Sequence, residues 1–321
     1  VSFDNAVGHD YLADSDTRFD YYHRIEERVP FDLEFFNKIT NGGLPNKTLN
    51  IALAGTGVGK SLFMCHMAAS SLSEGKNVLY ITLEMAEERI AERIDANLMN
   101  ITMDDLHELP KKMFDDKIAK ITKKTSGSLI VKEYPTASAH SAHFRGLIKE
   151  LAIKKSFKPD IIFIDYLNIC ASSRFKGVQN ANSYTIVKSI AEELRGLAVE
   201  CNVPIMSATQ TTRSGFASTD VDLTDTSESF GLPATADFMF ALISNEELDK
   251  LNQIVVKQLK NRYNDPTINK RFVLGIDRSK MRLYDVDNTQ QNDLVDSGQF
   301  TPNSQTKATN QVVDKYDDFV F

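Results

Sequence analysis

Short, uninterrupted apolar runs alternate along this chain with segments whose apolar positions recur every three or four residues. The runs Leu49–Ala54, Val78–Leu83, Ser128–Lys132, Asp160–Ile164, Val203–Thr209, Phe238–Ile243 and Gln253–Leu259 predict strands. Most are rich in Ile, Val and Leu without polar alternation, as expected of a parallel sheet buried on both faces. The clearest helix runs from Ser183 to Cys201, with Val187, Ile190, Leu194, Leu197 and Cys201 on one face. Nearer the start, Phe19, Tyr22, Ile25 and Val29 predict an amphipathic helix from Ser15 to about Arg28, closed by Pro30. Strand-helix alternation over residues 31–284 predicts an open, mostly parallel α/β sheet flanked by helices. No internal repeat is visible.

Composition adds little until the charge is located. The chain is 42% hydrophobic and 25% charged, ordinary for a globular protein. Seven Asp and two Lys give residues 285–321 a net charge of −5, out of −7 for the whole chain. That segment is rich in Asn, Gln, Ser and Thr and is expected to be a disordered acidic tail. It finishes in Tyr316-Asp317-Asp318-Phe319-Val320-Phe321, which suits either a docking segment or a solubilising end. Composition alone does not argue for nucleic-acid binding, although local loops can still grip a phosphate chain. No apolar run is long enough for a transmembrane helix. Cys65, Cys170 and Cys201 make no metal-like spacing and are expected to be buried thiols of a reducing cytoplasm. The chain opens on Val1, and upstream residues, an N-terminal domain among them, are expected.

Chemistry concentrates where predicted strands end, because ligands of open α/β sheets sit outside the carboxyl ends of the strands. Ala54-Gly55-Thr56-Gly57-Val58-Gly59-Lys60-Ser61 leaves the first such run, and Leu62 continues into a helix expected to reach about Ser73. Backbone N–H groups of such a loop cradle phosphates, and the helix N-terminus adds positive potential. Lys60 would reach the β- and γ-phosphates of ATP, and the Ser61 hydroxyl would ligate Mg²⁺. Asp165 follows Ile161–Ile164 as a metal-orienting carboxylate would, whereas Asp160 stands at the wrong end of that run.

Other positions admit two readings each. Glu84 could polarise an attacking water or only favour the start of a helix. Gln210 could sense the γ-phosphate or be a solvated loop amide. Lys260 and Arg262 follow a strand inside a hairpin-like stretch containing Asn264-Asp265-Pro266, and could meet phosphate or form a solvated face. Two long loops, Ser172–Asn182 with Arg174, Phe175 and Lys176, and Thr211–Ser227 with Arg213 and Phe216, interleave cations with aromatics. That mixture suits single-stranded nucleic acid.

Taken together, Ala54–Ser61, Leu83-Glu84-Met85, Ile164-Asp165-Tyr166-Leu167, Val203-Pro204-Ile205 through Gln210 and Arg213, and Lys260-Asn261-Arg262 give the chain a family likeness. It resembles the ATPase domain of DnaB-like replicative DNA helicases, the T-even bacteriophage branch in particular. The resemblance implies a RecA-like motor domain at 31–284, preceded over 1–30 by an arm and a linker helix that docks on an adjacent subunit. It implies a homo-hexamer that hydrolyses ATP between subunits and moves 5′-to-3′ on single-stranded DNA in the cytoplasm of a phage-infected cell. Primase, a helicase loader and other replisome proteins are the partners it implies. Glu84 becomes the general base, Gln210 a coupling residue, and Lys260 with Arg262 the pair inserted into the neighbouring site, Arg262 being the arginine finger. Arg174, Lys176 and Arg213 fall in the implied DNA loops. Asn264 stands where the family often has Gly, and the second loop matches poorly. A RecA-type recombinase filament and a nucleotide-binding helicase loader are the alternative readings.

Overall fold

The computed structural model describes residues 10–23, 26–175, 182–211, 231–287 and 291. Nine of its strands make one mixed sheet. In chain order they are β3 (Leu49–Ala54), β4 (Val78–Thr82), β5 (Leu129–Glu133), β6 (Ile161–Asp165), β7 (Ile205–Gln210), β8 (Phe238–Ile243), β9 (Gln253–Asn261), β10 (Arg271–Asp277) and β11 (Arg282–Asp285). Their spatial order is β11-β10-β9-β8-β3-β7-β6-β4-β5. The six strands from β8 to β5 run parallel, and β9, β10 and β11 add antiparallel hairpins beyond β8. Two short strands, β1 (Arg28–Val29) and β2 (Leu44–Pro45), pair with each other outside this sheet.

The apolar runs fall where they do because both faces are covered. Every residue of β3, β4, β6 and β8 is buried. Along β3, Ala52 and Ala54 point into one core with the helix α3 (Lys60–Ser73) and Phe31, Phe36 and Phe63. Leu49, Ile51 and Leu53 point into the other, against Val187, Ile190, Leu194 and Leu197 of α8 (Ser183–Cys201). This is the period of two expected of a strand, hidden in the sequence because neither face is polar. The other helices used below are α1 (Ser15–His23), α4 (Glu87–Met99), α9 (Gly231–Thr235) and α10 (Glu246–Lys250).

Several expectations are corrected. The first helix stops at His23 instead of reaching Arg28, because Arg28 and Val29 pair with Pro45 and Leu44. Phe19, which the periodicity placed on an apolar face, is 61% exposed. Cys65 and Cys170 are buried, but Cys201 is only part-buried. Strand β9 continues through Lys260 to Asn261, and β10 and β11 extend the sheet beyond the runs expected to form strands. Strand β11 runs to Asp285, and the Gln291 side chain bonds both backbone groups of Val273. Residues 292–321, which include the aromatic-acidic end, lie outside the described residues.

Candidate active site

Strands β3 and β4 follow each other in sequence but have β7 and β6 between them. A chain that leaves one strand and returns at a distant one opens a crevice above the carboxyl ends. The glycine loop lies there. Gly57 and Gly59 sit at φ 78° and 134°, where a side chain would be strained. A Cβ at Gly57 would meet nothing within 4 Å, so at that position backbone conformation, not crowding, is the reason for glycine. The Val58 N–H donates to Gly55 O at 3.4 Å and closes the turn. Gly59 is the N-cap of α3 and supplies no side-chain cap. The first N–H groups of α3 thus face the crevice as donors for an anion.

A cleft of about 340 Å³ forms at this loop. Thr56, Gly57, Gly59, Lys60, Ser61 and Leu62 line one side, and Glu84 and Gln210 line the others. Lys60 is largely buried, with its ammonium 5.6 Å from the centre of the Tyr166 ring. Burial lowers its pKa, and the carboxylates of Glu84 and Asp165 partly restore it. Gln210 ends β7 with Nε2 3.3 Å from the Tyr166 hydroxyl. Glu84 is exposed at the cleft, three residues before α4.

Asp165 is the last residue of β6 rather than the first after it, and is fully buried beneath the cleft. Burial raises its carboxyl pKa above the ordinary range, while hydrogen bonds from Tyr80 and Ser61 and the Lys60 charge act the other way. Its Oδ2 accepts from the Tyr80 hydroxyl at 2.9 Å, and its Oδ1 is buried with no protein partner. An orphaned carboxylate oxygen beside the Ser61 hydroxyl fits a hard, oxygen-preferring cation such as Mg²⁺. Asp160, at the opposite end of β6, accepts from the Asn77 N–H at 2.7 Å and has no part in the site.

Three further residues reach the cleft without a sequence signal: Arg93 from α4, and Arg278 and Met281 from the β10–β11 turn. Arg278 NH1 lies 3.5 and 3.3 Å from the carbonyls of Gly57 and Val58, and its NH2 is 2.9 Å from Asp249 Oδ1. Only the register of β10 against β11 brings that turn over the glycine loop.

Lys260 and Arg262 do not join this cleft. Strand β9 runs antiparallel to β8, with Asn261 opposite Phe238, so both cations lie at the other end of the sheet. The length of β3 separates them from the chain's own glycine loop, roughly 17 Å at about 3.3 Å per residue. There Lys260 Nζ is 2.6 Å from Pro233 O, and Arg262 NH1 is 2.9 Å from Asp237 Oδ1. Arg174 leaves the carboxyl end of β6 and pairs with Glu192 of α8. Lys176 and Arg213 lie outside the described residues.

A buried strand delivering a glycine loop to the start of a helix, with a buried aspartate closing the strand two places away, defines a RecA-like P-loop nucleotide-binding domain. Two solved structures share this fold, each with a TM-score of 0.69 at 17% identity. One is a DnaB-like replicative helicase described with its interactions with primase, covering 88% of this chain and 68% of that one. The other is an ATPase domain solved by itself, covering 86% of this chain and 97% of that one. A DnaB-like replicative helicase of Enterobacteria phage T4 is 46% identical over 290 residues, 89% of this chain and 61% of that protein. The chain thus spans about three fifths of that relative's length. The family described as DnaB-like helicase C terminal domain matches residues 29–272. This chain belongs to that family. No helix among the described residues is long and apolar enough to cross a membrane.

Proposed function

We propose that the chain is the ATP-hydrolysing motor domain of a replicative DNA helicase, working as a homo-hexamer that moves 5′-to-3′ along single-stranded DNA. One observation carries this reading. The glycine loop, Glu84 and Gln210 share one cleft, whereas Lys260 and Arg262 stand at the opposite end of the same sheet. A phosphate-directed pair that distant from its own loop serves a neighbour's, so hydrolysis belongs to the interface between subunits. The 46% identity to the phage T4 helicase supports the same reading, and a primase contact is proposed on the likeness to the primase-interacting structure. A loader and other replisome proteins follow only from the family reading.

In this mechanism the α3 N–H groups and Lys60 hold the ATP phosphates. Ser61 and Asp165 hold Mg²⁺, which when bound offsets negative charge on the β- and γ-phosphates. Glu84 takes the proton of the attacking water, and the neighbour's Arg262 stabilises the charge developing on the transferred phosphoryl group. Gln210, joined to the glycine loop's strand through the β3–β7 ladder, leads directly into the loop that holds Arg213. It relays the phosphate state to the DNA-facing segment, and Arg174 and Lys176 grip the strand from the other loop.

The test is ATP turnover and strand separation with and without single-stranded DNA, in wild type and in Lys60→Ala. DNA should raise wild-type turnover, and Lys60→Ala should abolish both activities. Turnover indifferent to DNA, with no unwinding of a 5′-tailed duplex, would sink the reading.

A further inference from the structure

At the end of the sheet away from the nucleotide cleft, a single buried acid meets a group of cations. Asp237 opens β8 and is 4% exposed. Its Oδ1 accepts from Arg262 NH1 at 2.9 Å and from Arg195 NH2 at 3.0 Å. Its Oδ2 accepts from Arg195 Nε at 3.1 Å and from the Leu49 backbone N–H at 3.0 Å. The backbone is fixed as well: Asp237 N–H donates to Leu49 O at 2.8 Å, and Arg262 N–H donates to Asp237 O at 3.1 Å. Asp237 is therefore joined to the first residue of the strand whose far end carries the glycine loop.

This arrangement differs from an ordinary surface ion pair in two ways. The carboxylate is buried and receives four donors, so its position is determined by the fold rather than by the arginines. The Arg262 side chain, by contrast, is 48% exposed and gives this acid one terminal nitrogen, NH1. A free arginine carries roughly 2 kcal/mol of rotamer entropy, which an unheld finger would lose on each engagement. Lys260, held by the carbonyls of Pro233 and Ala234, adds a third cation. One acid among three cations leaves net positive charge at this end, as a site facing phosphate requires.

We propose that Asp237, backed by Arg195, is the positioning residue of the finger: it clamps one nitrogen of Arg262 and leaves the rest of the guanidinium for the phosphate of an adjoining subunit. The proposal rests on the reading of Arg262 as a finger acting in trans. Asp237 touches no substrate; it acts through Arg262.

A merely structural Asp237 would tie β8 to β3, and its loss would damage the chain's own glycine loop. Mixing experiments separate the two roles. Asp237→Asn keeps the shape and one acceptor oxygen. It should lower kcat for ATP roughly 10²-fold, the scale of a misplaced catalytic group, with KM for ATP near wild type. In assemblies shown by native mass spectrometry to contain both subunits, Asp237→Asn mixed with Lys60→Ala should regain turnover, because some interfaces pair an intact loop with a held finger. Mixed with Arg262→Ala it should regain none, since no subunit then supplies one. The opposite pattern, regain with Arg262→Ala and none with Lys60→Ala, would place the damage at the chain's own loop and overturn the proposal. Arg195→Ala alters a half-exposed residue of α8 and should show the same mixing pattern with a smaller loss; it decides the matter if Asp237→Asn does not fold. Full turnover in Arg262→Ala alone would instead remove the finger reading, a result distinct from either pattern.

Discussion

The Tyr80 hydroxyl donates a 2.9 Å hydrogen bond to Oδ2 of Asp165, and both residues are fully buried. Strands β4 and β6 are neighbours in register, with Tyr80 opposite Phe163 and Thr82 opposite Asp165. Burial and the nearby carboxylate raise the tyrosine pKa far above its usual value, so it remains a donor at any working pH. The bond fixes one carboxylate oxygen and turns the other, unpartnered, towards the glycine loop's side of the sheet.

Removing that donor should loosen the aspartate without removing it. Supporting partners of metal ligands typically contribute about 10- to 100-fold in metal affinity. Tyr80→Phe is therefore expected to raise the Mg²⁺ concentration needed for half-maximal binding of a fluorescent ATP analogue by about that factor. Binding measured without metal should be unchanged. An unaltered Mg²⁺ requirement would mean that Asp165 is oriented by the strand alone.

Glu84 and Lys60 share the cleft but should fail differently. Lys60→Ala should lose nucleotide affinity and turnover together, since its charge acts on the phosphates in both states. Glu84→Gln should keep MgATP affinity and lose turnover by about 10²–10⁴, the usual contribution of a general base. Equilibrium binding beside single-turnover hydrolysis distinguishes them, and wild-type turnover in Glu84→Gln would remove it from the mechanism.

What could be read in the sequence follows from locality. The β3–glycine loop–α3 unit is contiguous, and its strand, φ-permissive glycines and helix each leave a local mark. Asp165 and α8 were legible for the same reason. The boundary at Val29 was not, because an apolar residue spaced like a helix face packs instead from a strand paired with Leu44. Arg278 left no signal: it lies 221 residues from Gly57 in sequence, and only the β10–β11 pairing carries it there. Asp237 was invisible likewise, since an acid opening a strand reads as a turn residue until Arg195, Leu49 and Arg262 converge on it.

Burial alone pushes the Asp95 carboxyl up to about 6. It lies on α4, in a cleft with Glu88, Glu92 and His107. A raised folded-state pKa favours the neutral acid. Its contribution is fully present below the ordinary carboxylate range and is lost as pH rises through about 6. Asp95→Asn should therefore stabilise the protein at pH 7–8, by about 1 kcal/mol once solvent screening is allowed for. That corresponds to roughly 2–4 °C in Tm. The gap should shrink as pH falls through 6, and a gap constant across that range would mean the acid is not strained by burial.

Arg278 braces the glycine loop from outside. Its guanidinium faces the carbonyls of Gly57 and Val58 while paired with Asp249 near the end of α10. Those two residues are where the loop turns its N–H groups inward, so a cation on their carbonyls holds the amides in the orientation that phosphate needs. The bonds to the loop, at 3.3 and 3.5 Å, are long, and the arginine is part-exposed, so each is weak alone. Their effect is on preorganisation, which acts on ground state and transition state alike and so appears in KM rather than kcat. Arg278→Ala should raise KM for ATP several-fold, about 1 kcal/mol for a modest hydrogen-bonded brace, with kcat within a factor of two or so. Asp249→Asn, which frees the arginine without removing it, should do less. A fall in kcat with KM unchanged would instead make Arg278 a contributor to the transition state, acting in its own subunit's site beside the neighbour's Arg262.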